Sequence, residues 1–318
     1  MEERVLLRII EEICDEENID FKTYSFGYIV EMSKDGKHRY IVNGKFDMNS
    51  LASGAIMSDK AATFTVLDAH NIPAVEHKII FNPTTRENYV GKDGVFTEVF
   101  NYFDEHDGKI VVKAKDGSQG RDIFLCADMK RLERKIFEIL EMKNDVCLSP
   151  FYDVKNEYRT FCLETECLLT YQKNKPYVIG NGINNVRELI EEYDSKFLER
   201  YTKEDDTKLE NEIDYEFIPN KGEVVYLSWK LNLCQGAKPT LLADKEKERE
   251  VQELAKNVAT ILNSGFSTID IVETAKGDLL LLEVNSGVAA SKFIENVENG
   301  YEIAKVIYRK AVLKMFEE

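Results

Sequence analysis

The chain has 318 residues, with 42 Lys and Arg against 58 Asp and Glu, so its formal net charge is −16. This acidity argues against a general nucleic-acid binder and against docking on anionic lipid, because both need a cationic face. No stretch approaches the ~20 apolar residues that span a bilayer, and the acidic start predicts no export signal. The 6 scattered cysteines show no metal spacing and indicate buried thiols, so we expect a cytoplasmic protein without nucleic-acid or membrane partners.

Helices and short strands alternate along the chain without a low-complexity linker or an internal repeat. The predicted elements are, in order, a helix over 1–18, strands at 26–32 and 38–43, helices at 58–70 and 95–105, strands at 109–114 and 122–126, a helix near 132–140, strands at 146–152, 158–163 and 166–172, a helix at 186–193, a charged excursion over 194–216, a strand at 223–229, a helix at 246–263, a hairpin at 266–285 and a closing helix. Strands that pair in hairpins between helices indicate an α+β fold more than a regular parallel array.

The last hairpin carries the most informative polar residues. Glu283 and Asn285 share one face of their strand, ~7 Å apart, because side chains alternate along a strand. A turn centred between Lys276 and Gly277 places Asp270 opposite Glu283, with Cβ atoms ~5 Å apart. Two carboxylates held so close need a cation between them, and such hard oxygen donors suit Mg²⁺. The alternative is that these are merely polar residues where a strand reaches the surface.

A second candidate site follows the strand that ends near Lys113. The loop after this strand contains Asp116, Gly117, Ser118, Gln119 and Gly120. Its two glycines and serine leave backbone N–H groups free to approach phosphate oxygens, and Lys113 could reach a phosphate as a point charge. The loop is not a Walker motif, because no Gly-Lys pair in the chain is followed by Ser or Thr. The alternative is a plain turn.

Three further cations stand out beside these segments: Lys60, Arg159 and Lys230. Each is either an active-site cation or a surface ion-pair partner of an acidic protein. Arg159 favours the first interpretation, because an arginine fork binds a carboxylate or a phosphate in two places at once.

Taken in order, the motifs resemble those of the ATP-grasp superfamily. The matching segments are Ser58–Thr63 with Asn71–Pro73, Val112–Ala114 with Asp116–Gly120, Asn156–Arg159, Gly180–Gly182 with Val186–Ile190, Gly222–Leu227 with Asn232–Leu233, and Ile269–Asp270 with Glu283–Asn285. The likeness is nearest to the ATP-grasp modules of cyanophycin synthetase and bifunctional glutathione synthetase. It implies two α+β lobes that grip ATP beneath a glycine-rich lid. The expected divisions are a reduced N-terminal segment at 1–57, a first lobe with the lid at 58–150, and a second lobe with the metal site at 151–318.

The resemblance also implies roles for individual residues. Nucleotide binding is implied for Lys60, Lys113, the lid Asp116–Gly120, Tyr152 at the adenine and Glu157 at the ribose. Binding of one or two Mg²⁺ ions, which Mn²⁺ could replace, is implied for Asp270, Glu283 and Asn285. Contact with an acyl phosphate is implied for Arg159, Asn232 and Lys230, the last at a position where relatives carry Arg.

These roles imply an ADP-forming carboxylate–amine ligase that uses ATP and Mg²⁺. ATP would phosphorylate a carboxylate, and an amine would then displace the phosphate to form an amide. We expect amino acids or small peptides as substrates. The sequence allows a homo-oligomer and does not determine the oligomeric state. Two other hypotheses are a small-molecule kinase on the same fold and a nucleotide-sensing protein without turnover. Amine-dependent ADP release separates the ligase from both.

Overall fold

The computed structural model describes residues 2–90, 95–115, 123–195, 197, 213–228 and 230–317. These residues form two compact units, each assembled from separate parts of the chain. The first unit holds the residues up to Val75, Asp153–Gln172 and the residues from Pro239 onward, and the second holds Glu76–Tyr152 and Lys173–Lys238. The contiguous segments predicted from the sequence, 1–57, 58–150 and 151–318, do not coincide with these units, because the chain passes between the units four times.

The described part of the chain mixes helices and hairpin-paired strands, which confirms the predicted α+β class. Its helices are α1 (Glu2–Glu17), α2 (Leu51–Met57), α3 (Lys60–Asp68), α4 (Val95–Glu105), α5 (Met129–Glu141), α6 (Val186–Tyr193), α7 (Lys245–Leu262), α8 (Ser291–Asn296) and α9 (Gly300–Glu317). Its strands are β1 (Asp20–Tyr24), β2 (Ile29–Lys34), β3 (Lys37–Val42), β4 (Lys45–Phe46), β5 (Lys78–Ile80), β6 (Ile110–Ala114), β7 (Ile123–Cys126), β8 (Val146–Pro150), β9 (Val154–Leu163), β10 (Glu166–Asn174), β11 (Tyr177–Ile179), β12 (Val224–Tyr226), β13 (Lys238–Leu241), β14 (Phe266–Thr274) and β15 (Leu279–Asn285). Within these described ranges, no helix has the length and apolar character needed to cross a membrane.

In the first unit, the N-terminal strands form an antiparallel sheet in the order β1-β2-β3-β4. Asp35 and Gly36 make the turn between β2 and β3, and their φ angles are 51° and 76°. Positive φ at both central residues gives the turn a twist that matches the paired strands. This turn joins the observed counterparts of the strands predicted at 26–32 and 38–43.

Helices α1 and α9 pack side by side through a polar seam. Arg8 Nε donates to Tyr301 Oη at 3.2 Å, and Lys305 Nζ donates to Glu12 Oε2 at 2.8 Å. Lys305 also donates to Glu16. Both of the first two contacts join residues 293 positions apart, so the two helices run parallel.

The main sheet of the first unit has five strands in the order β13-β10-β9-β14-β15. One face packs against α2, α3 and α7. The buried residues of this core include Met57, Leu67, Val251, Leu254, Val258, Ile269, Ile271 and Leu281. The predicted pairing of Asp270 with Glu283 is confirmed, although the register shifts by one residue immediately beyond it, where Ile271 pairs with Leu281.

The second unit contains a four-stranded antiparallel sheet in the order β5-β8-β6-β7. Its core lies between one face of the sheet and helices α4 and α5. The buried residues of this core include Ile80, Val99, Ile110, Val112, Leu132, Ile136, Val146 and Leu148. The ribbon β11-β12 forms a smaller core with α6, whose N-terminus is closed by a capping box between Asn185 and Glu188.

Glu273 joins β9, β14 and α7 at the edge of the first unit's core. Its Oε2 accepts hydrogen bonds from Asn156 Nδ2 at 2.7 Å and Tyr158 Oη at 2.8 Å. Lys247 Nζ lies 3.5 Å from its Oε1. Burial raises the pKa of Glu273, but the two hydrogen bonds and the lysine charge outweigh it, so the net pKa is lowered. The ionised carboxylate therefore stabilises the fold.

We expect Glu273→Gln to lower the free energy of unfolding at pH 7 by about 2 kcal/mol, the scale of hydrogen bonds to a charged group. A carboxyl whose pKa is depressed by folding contributes stability above its unfolded pKa of about 4.3 and loses it as the pH falls through the folded pKa. Urea unfolding should therefore show a difference between variant and wild type that shrinks below about pH 4. Glu250→Gln, which removes the exposed partner of the same Lys247, is the matched control and should change stability little. Equal stability of Glu273→Gln and wild type at pH 7 would refute this role.

Candidate active site

Three charged residues stand in a row across neighbouring strands of the five-stranded sheet. Asp270 on β14 lies directly opposite Arg159 on β9 and directly opposite Glu283 on β15. Directly paired residues point to the same face of a sheet. Because Ile269 and Ile271 on either side of Asp270 point into the helix-covered core, the charged row points to the opposite face.

Arg159 and Asp270 form a two-pronged ion pair. Arg159 Nε donates to Asp270 Oδ1 at 2.6 Å, and Nη2 donates to Oδ2 at 2.5 Å. The Asp270 side chain is fully buried and that of Arg159 is 19% exposed. Burial works against the charge of Arg159, but the adjacent Asp270 carboxylate holds the pKa of Arg159 well above its ordinary value. Both carboxylate oxygens of Asp270 are therefore engaged by a cation.

Glu283 has its own cation. Lys60 Nζ pairs with Glu283 Oε2, and Asn285 Nδ2 donates to Glu283 Oε1 at 3.2 Å. Lys60 is the first residue of α3, which Asp59 caps by accepting the backbone N–H groups of Ala61 and Ala62. The Glu283 side chain is 24% exposed and that of Lys60 is 28% exposed. This half of the row is therefore reachable from solvent.

Each carboxylate of the row has a side-chain cation of its own. Arg159 pairs with Asp270, and Lys60 pairs with Glu283. No local pattern predicts these contacts, because the partners lie far apart in the sequence.

The donor set fits a magnesium ion in part. In the described ranges, no group of three or more His, Cys, Asp and Glu side chains could hold a metal ion. Glu283 and Asn285 are partly exposed and offer the hard oxygens that Mg²⁺ prefers. Asp270 could join them only after its two hydrogen bonds to Arg159 are released.

Glu157 lies on the same face of β9 as Arg159, two residues earlier in the strand. It is buried and pairs in register with Val272. Residues two apart on a strand stand ~7 Å apart along it. The structure thus brings the predicted ribose residue next to the charged row.

The second unit holds the other predicted nucleotide residues. Lys113 on β6 is buried, and its Nζ lies 2.9 Å from His77 Nε2. Tyr152 follows β8 and is half-buried. Burial raises the pKa of the Tyr152 hydroxyl, as does the charge of Glu76, and a hydrogen bond to the Glu76 backbone opposes this rise. His77 had no role in the sequence analysis, because a lone histidine without metal spacing gives no local signal.

Lys230 and Asn232 occupy the segment between β12 and β13. Lys230 is buried, and its backbone N–H donates to Ser228 Oγ at 3.1 Å. Asn232 Oδ1 accepts the backbone N–H of Cys234 at 2.8 Å and so caps the short 3₁₀ turn that follows. The predicted lid residues Asp116, Gly117, Ser118, Gln119 and Gly120 lie outside the described residues.

Sequence comparison finds relatives that are longer than this chain. No protein-family model matches the chain. Cyanophycin synthetases from a Nostoc species and from Trichormus variabilis are 23% and 22% identical over 292 residues. The match covers 86% of this chain and 31% of each relative, so the chain spans about a third of their length.

Comparison with solved structures identifies the fold. A bifunctional glutathione synthetase from Pasteurella multocida superposes with a TM-score of 0.55 at 15% identity, covering 93% of this chain and 43% of that one. A D-alanine–D-alanine ligase from Bacillus anthracis superposes with a TM-score of 0.54 at 13% identity, covering 86% of this chain and 70% of that one. The predicted resemblance is therefore confirmed, and the protein has the α+β ATP-grasp fold of these ligases.

Proposed function

We propose that the chain is an ATP-dependent, ADP-forming ligase that joins a carboxylate to an amine. The observation that carries the proposal is the row of Arg159, Asp270 and Glu283 on one sheet face, with Lys60 beside it. Its carboxylates and cations are paired with one another, and each could exchange its partner for a metal ion or a phosphate oxygen. The ATP-grasp fold of a glutathione synthetase and a D-alanine–D-alanine ligase supports an ATP-dependent ligase in general.

In this proposal, lysines hold the phosphates of ATP. Lys60 and Lys113 act as point charges on them, and the segment Asp116–Gly120 closes over them. Tyr152 contacts the adenine and Glu157 contacts the ribose. Local cations are needed for a polyanionic ligand, because the net charge of the chain is −16.

Glu283 and Asn285 would hold magnesium through their oxygens, and Asp270 would join them once Arg159 turns away. A bound Mg²⁺ ion neutralises charge that develops on transferring phosphoryl groups. Arg159, released from Asp270, then offers its fork to an anionic group. The same exchange would free Lys60 from Glu283 for a phosphate.

The proposed reaction has two steps. The γ-phosphoryl group of ATP passes to a carboxylate oxygen and gives an acyl phosphate and ADP. An amine then attacks the carbonyl carbon, expels phosphate, loses a proton and forms an amide. Arg159, Lys230 and Asn232 would stabilise the anionic acyl phosphate in both steps. Amino acids or small peptides are the proposed substrates.

We expect a product when the protein is incubated with ATP, Mg²⁺ and a pool of amino acids and dipeptides. Mass spectrometry should show a new compound whose mass is that of an acid plus an amine less one water. Hydroxylamine in place of the amine should trap the acyl phosphate as a hydroxamate. Omitting Mg²⁺ should abolish both products.

Two other outcomes would replace this proposal. ADP release with a stable phosphorylated compound, and neither hydroxamate nor amide, would identify a small-molecule kinase. Nucleotide binding without ADP release under any substrate mixture would identify a nucleotide-sensing protein.

A further inference from the structure

The contact between Lys113 and His77 joins two buried polar side chains in the second unit. Lys113 is 8% exposed and His77 is 4% exposed. In the sheet, Lys113 on β6 pairs with Cys147 on β8, and Cys147 pairs with Ile79 on β5. His77 directly precedes β5 and stands two residues before Ile79, which puts its side chain on the sheet face that Lys113 uses. The 2.9 Å contact therefore reaches across β8.

The chemistry of the two groups fixes the direction of this hydrogen bond. A lysine ammonium has three donors and no acceptor, so His77 Nε2 must accept. The proton of the neutral ring then lies on Nδ1. An ammonium group loses its hydration when it is buried and needs such a partner.

A neutral acceptor, unlike a carboxylate, brings no negative charge to the lysine that it binds. Lys60 pairs with the Glu283 carboxylate, so that pair carries little net charge until it opens. His77 Nε2 instead orients Lys113 Nζ through a hydrogen bond from a neutral ring.

The residue before His77 contacts a second residue of the proposed nucleotide site. Glu76 is hydrogen-bonded through its backbone to the Tyr152 hydroxyl. Two consecutive residues, Glu76 and His77, therefore touch the side chain proposed for adenine and the lysine proposed for phosphate.

We propose that His77 is a positioning residue for Lys113, holding its ammonium group ready for the phosphates of a nucleoside triphosphate. This inference rests on the proposed function, in which Lys113 binds ATP. His77 itself touches no substrate and acts through Lys113.

The test is calorimetric titration of the full-length protein with MgATP. His77→Phe should weaken binding about tenfold or more, because a hydrogen bond to a charged group is lost. His77→Asn should weaken it similarly, because its amide is too short to reach Lys113 Nζ. His77→Gln, one methylene longer, should bind within about threefold of wild type, because its oxygen replaces Nε2. His38→Phe is the matched control, because the His38 side chain on β3 is 54% exposed, and it should bind like wild type.

A double-mutant cycle separates positioning from structural damage. In the Lys113→Met background, His77→Phe should change MgATP affinity by less than about twofold, because its effect passes through Lys113. In turnover assays, His77→Phe should raise the KM for ATP more than it lowers kcat. His77→Gln and His77→Asn keep the test valid if the phenylalanine variant fails to fold.

Each contrary result has a distinct meaning. If Lys113→Met weakens MgATP binding while His77→Phe and His77→Asn bind like wild type, the inference fails and the proposed function stands. If His77→Phe weakens binding equally with and without Lys113, its effect is structural and the inference also fails. If wild type does not bind MgATP, the proposed function and the inference fall together.

Discussion

Glu283→Gln should lower ATP-dependent turnover by at least ~100-fold, the scale of losing one well-placed electrostatic contact. Glu283 is the carboxylate of the charged row that solvent can reach, and it contacts both Lys60 and Asn285. Glutamine keeps the size of the side chain but removes the charge proposed to hold Mg²⁺. The rate is measured as ADP release with the acid and amine that the product screen identifies.

The same substitution should leave the fold nearly intact. Ion pairs exposed to this degree contribute about 0–1 kcal/mol, so urea unfolding of Glu283→Gln should shift by no more than that. Glu248→Gln is the matched control, because Glu248 also pairs with a lysine and its side chain is 20% exposed, against 24% for Glu283. The control should keep full turnover. Near-normal turnover in Glu283→Gln would remove this residue from the proposed metal site.

Asp270→Asn should instead destabilise the fold, by about 3–5 kcal/mol in the free energy of unfolding. The Asp270 side chain is fully buried, and Arg159 donates two hydrogen bonds to it. Asparagine leaves the guanidinium largely buried without a counter-charge, and one of the two acceptor oxygens becomes a donor. Urea unfolding monitored by circular dichroism measures the loss.

A double variant separates the pair's effect on stability from its effect on function. Arg159→Met combined with Asp270→Leu replaces both charges by apolar groups and should recover most of the stability lost in Asp270→Asn, since no unpaired charge stays buried. The double variant should still lack turnover. If Asp270→Asn alone is as stable as wild type, the ion pair of Arg159 and Asp270 does not stabilise the fold, and this prediction is wrong.

The final hairpin shows how a sequence-based register can be correct while its turn is not. A symmetric turn between Lys276 and Gly277 predicts Asp270 opposite Glu283, and this pair is observed. Nearer the turn, however, Ile271 pairs with Leu281, so the turn is centred on Lys276 and not between Lys276 and Gly277. A bulge next to Asp270 compensates for the displacement. The sequence of the hairpin contains no signal that predicts this bulge.

Leu281, beside the bulge, also contacts a distant part of the chain. The backbone N–H of Leu281 donates to Pro73 O, and its carbonyl accepts the N–H of Val75. The segment around Ala74 thereby pairs with the outer edge of β15. A contact between residues about 200 positions apart leaves no trace in local periodicity. The helix predicted at 58–70, which depends only on neighbouring residues, is by contrast observed as α3 (Lys60–Asp68).

Strand β1 was not predicted from the sequence, because its residues lack a local pattern. Asp20–Tyr24 is exposed along nearly its whole length, so it lacks the alternation of buried and exposed residues that identifies a strand. The predicted strand at 26–32 begins too early, because Ser25 and Phe26 have φ angles of 52° and 60° and form a turn.

The side-chain contacts of the candidate site could not be predicted from local sequence either. Arg159 meets Asp270 111 positions later in the chain, and only the three-dimensional register brings the two together.

The parallel packing of α1 on α9 affects the order in which the protein can fold on the ribosome. Two helices that run in the same direction cannot form as a local hairpin, and here their contacts join residues 293 positions apart. Helix α1 must therefore leave the exit tunnel well before the α9 residues that it contacts have been translated. During that interval its apolar face is available to chaperones and to other nascent chains. The second unit, whose residues all lie between Glu76 and Lys238, can be completed before the first.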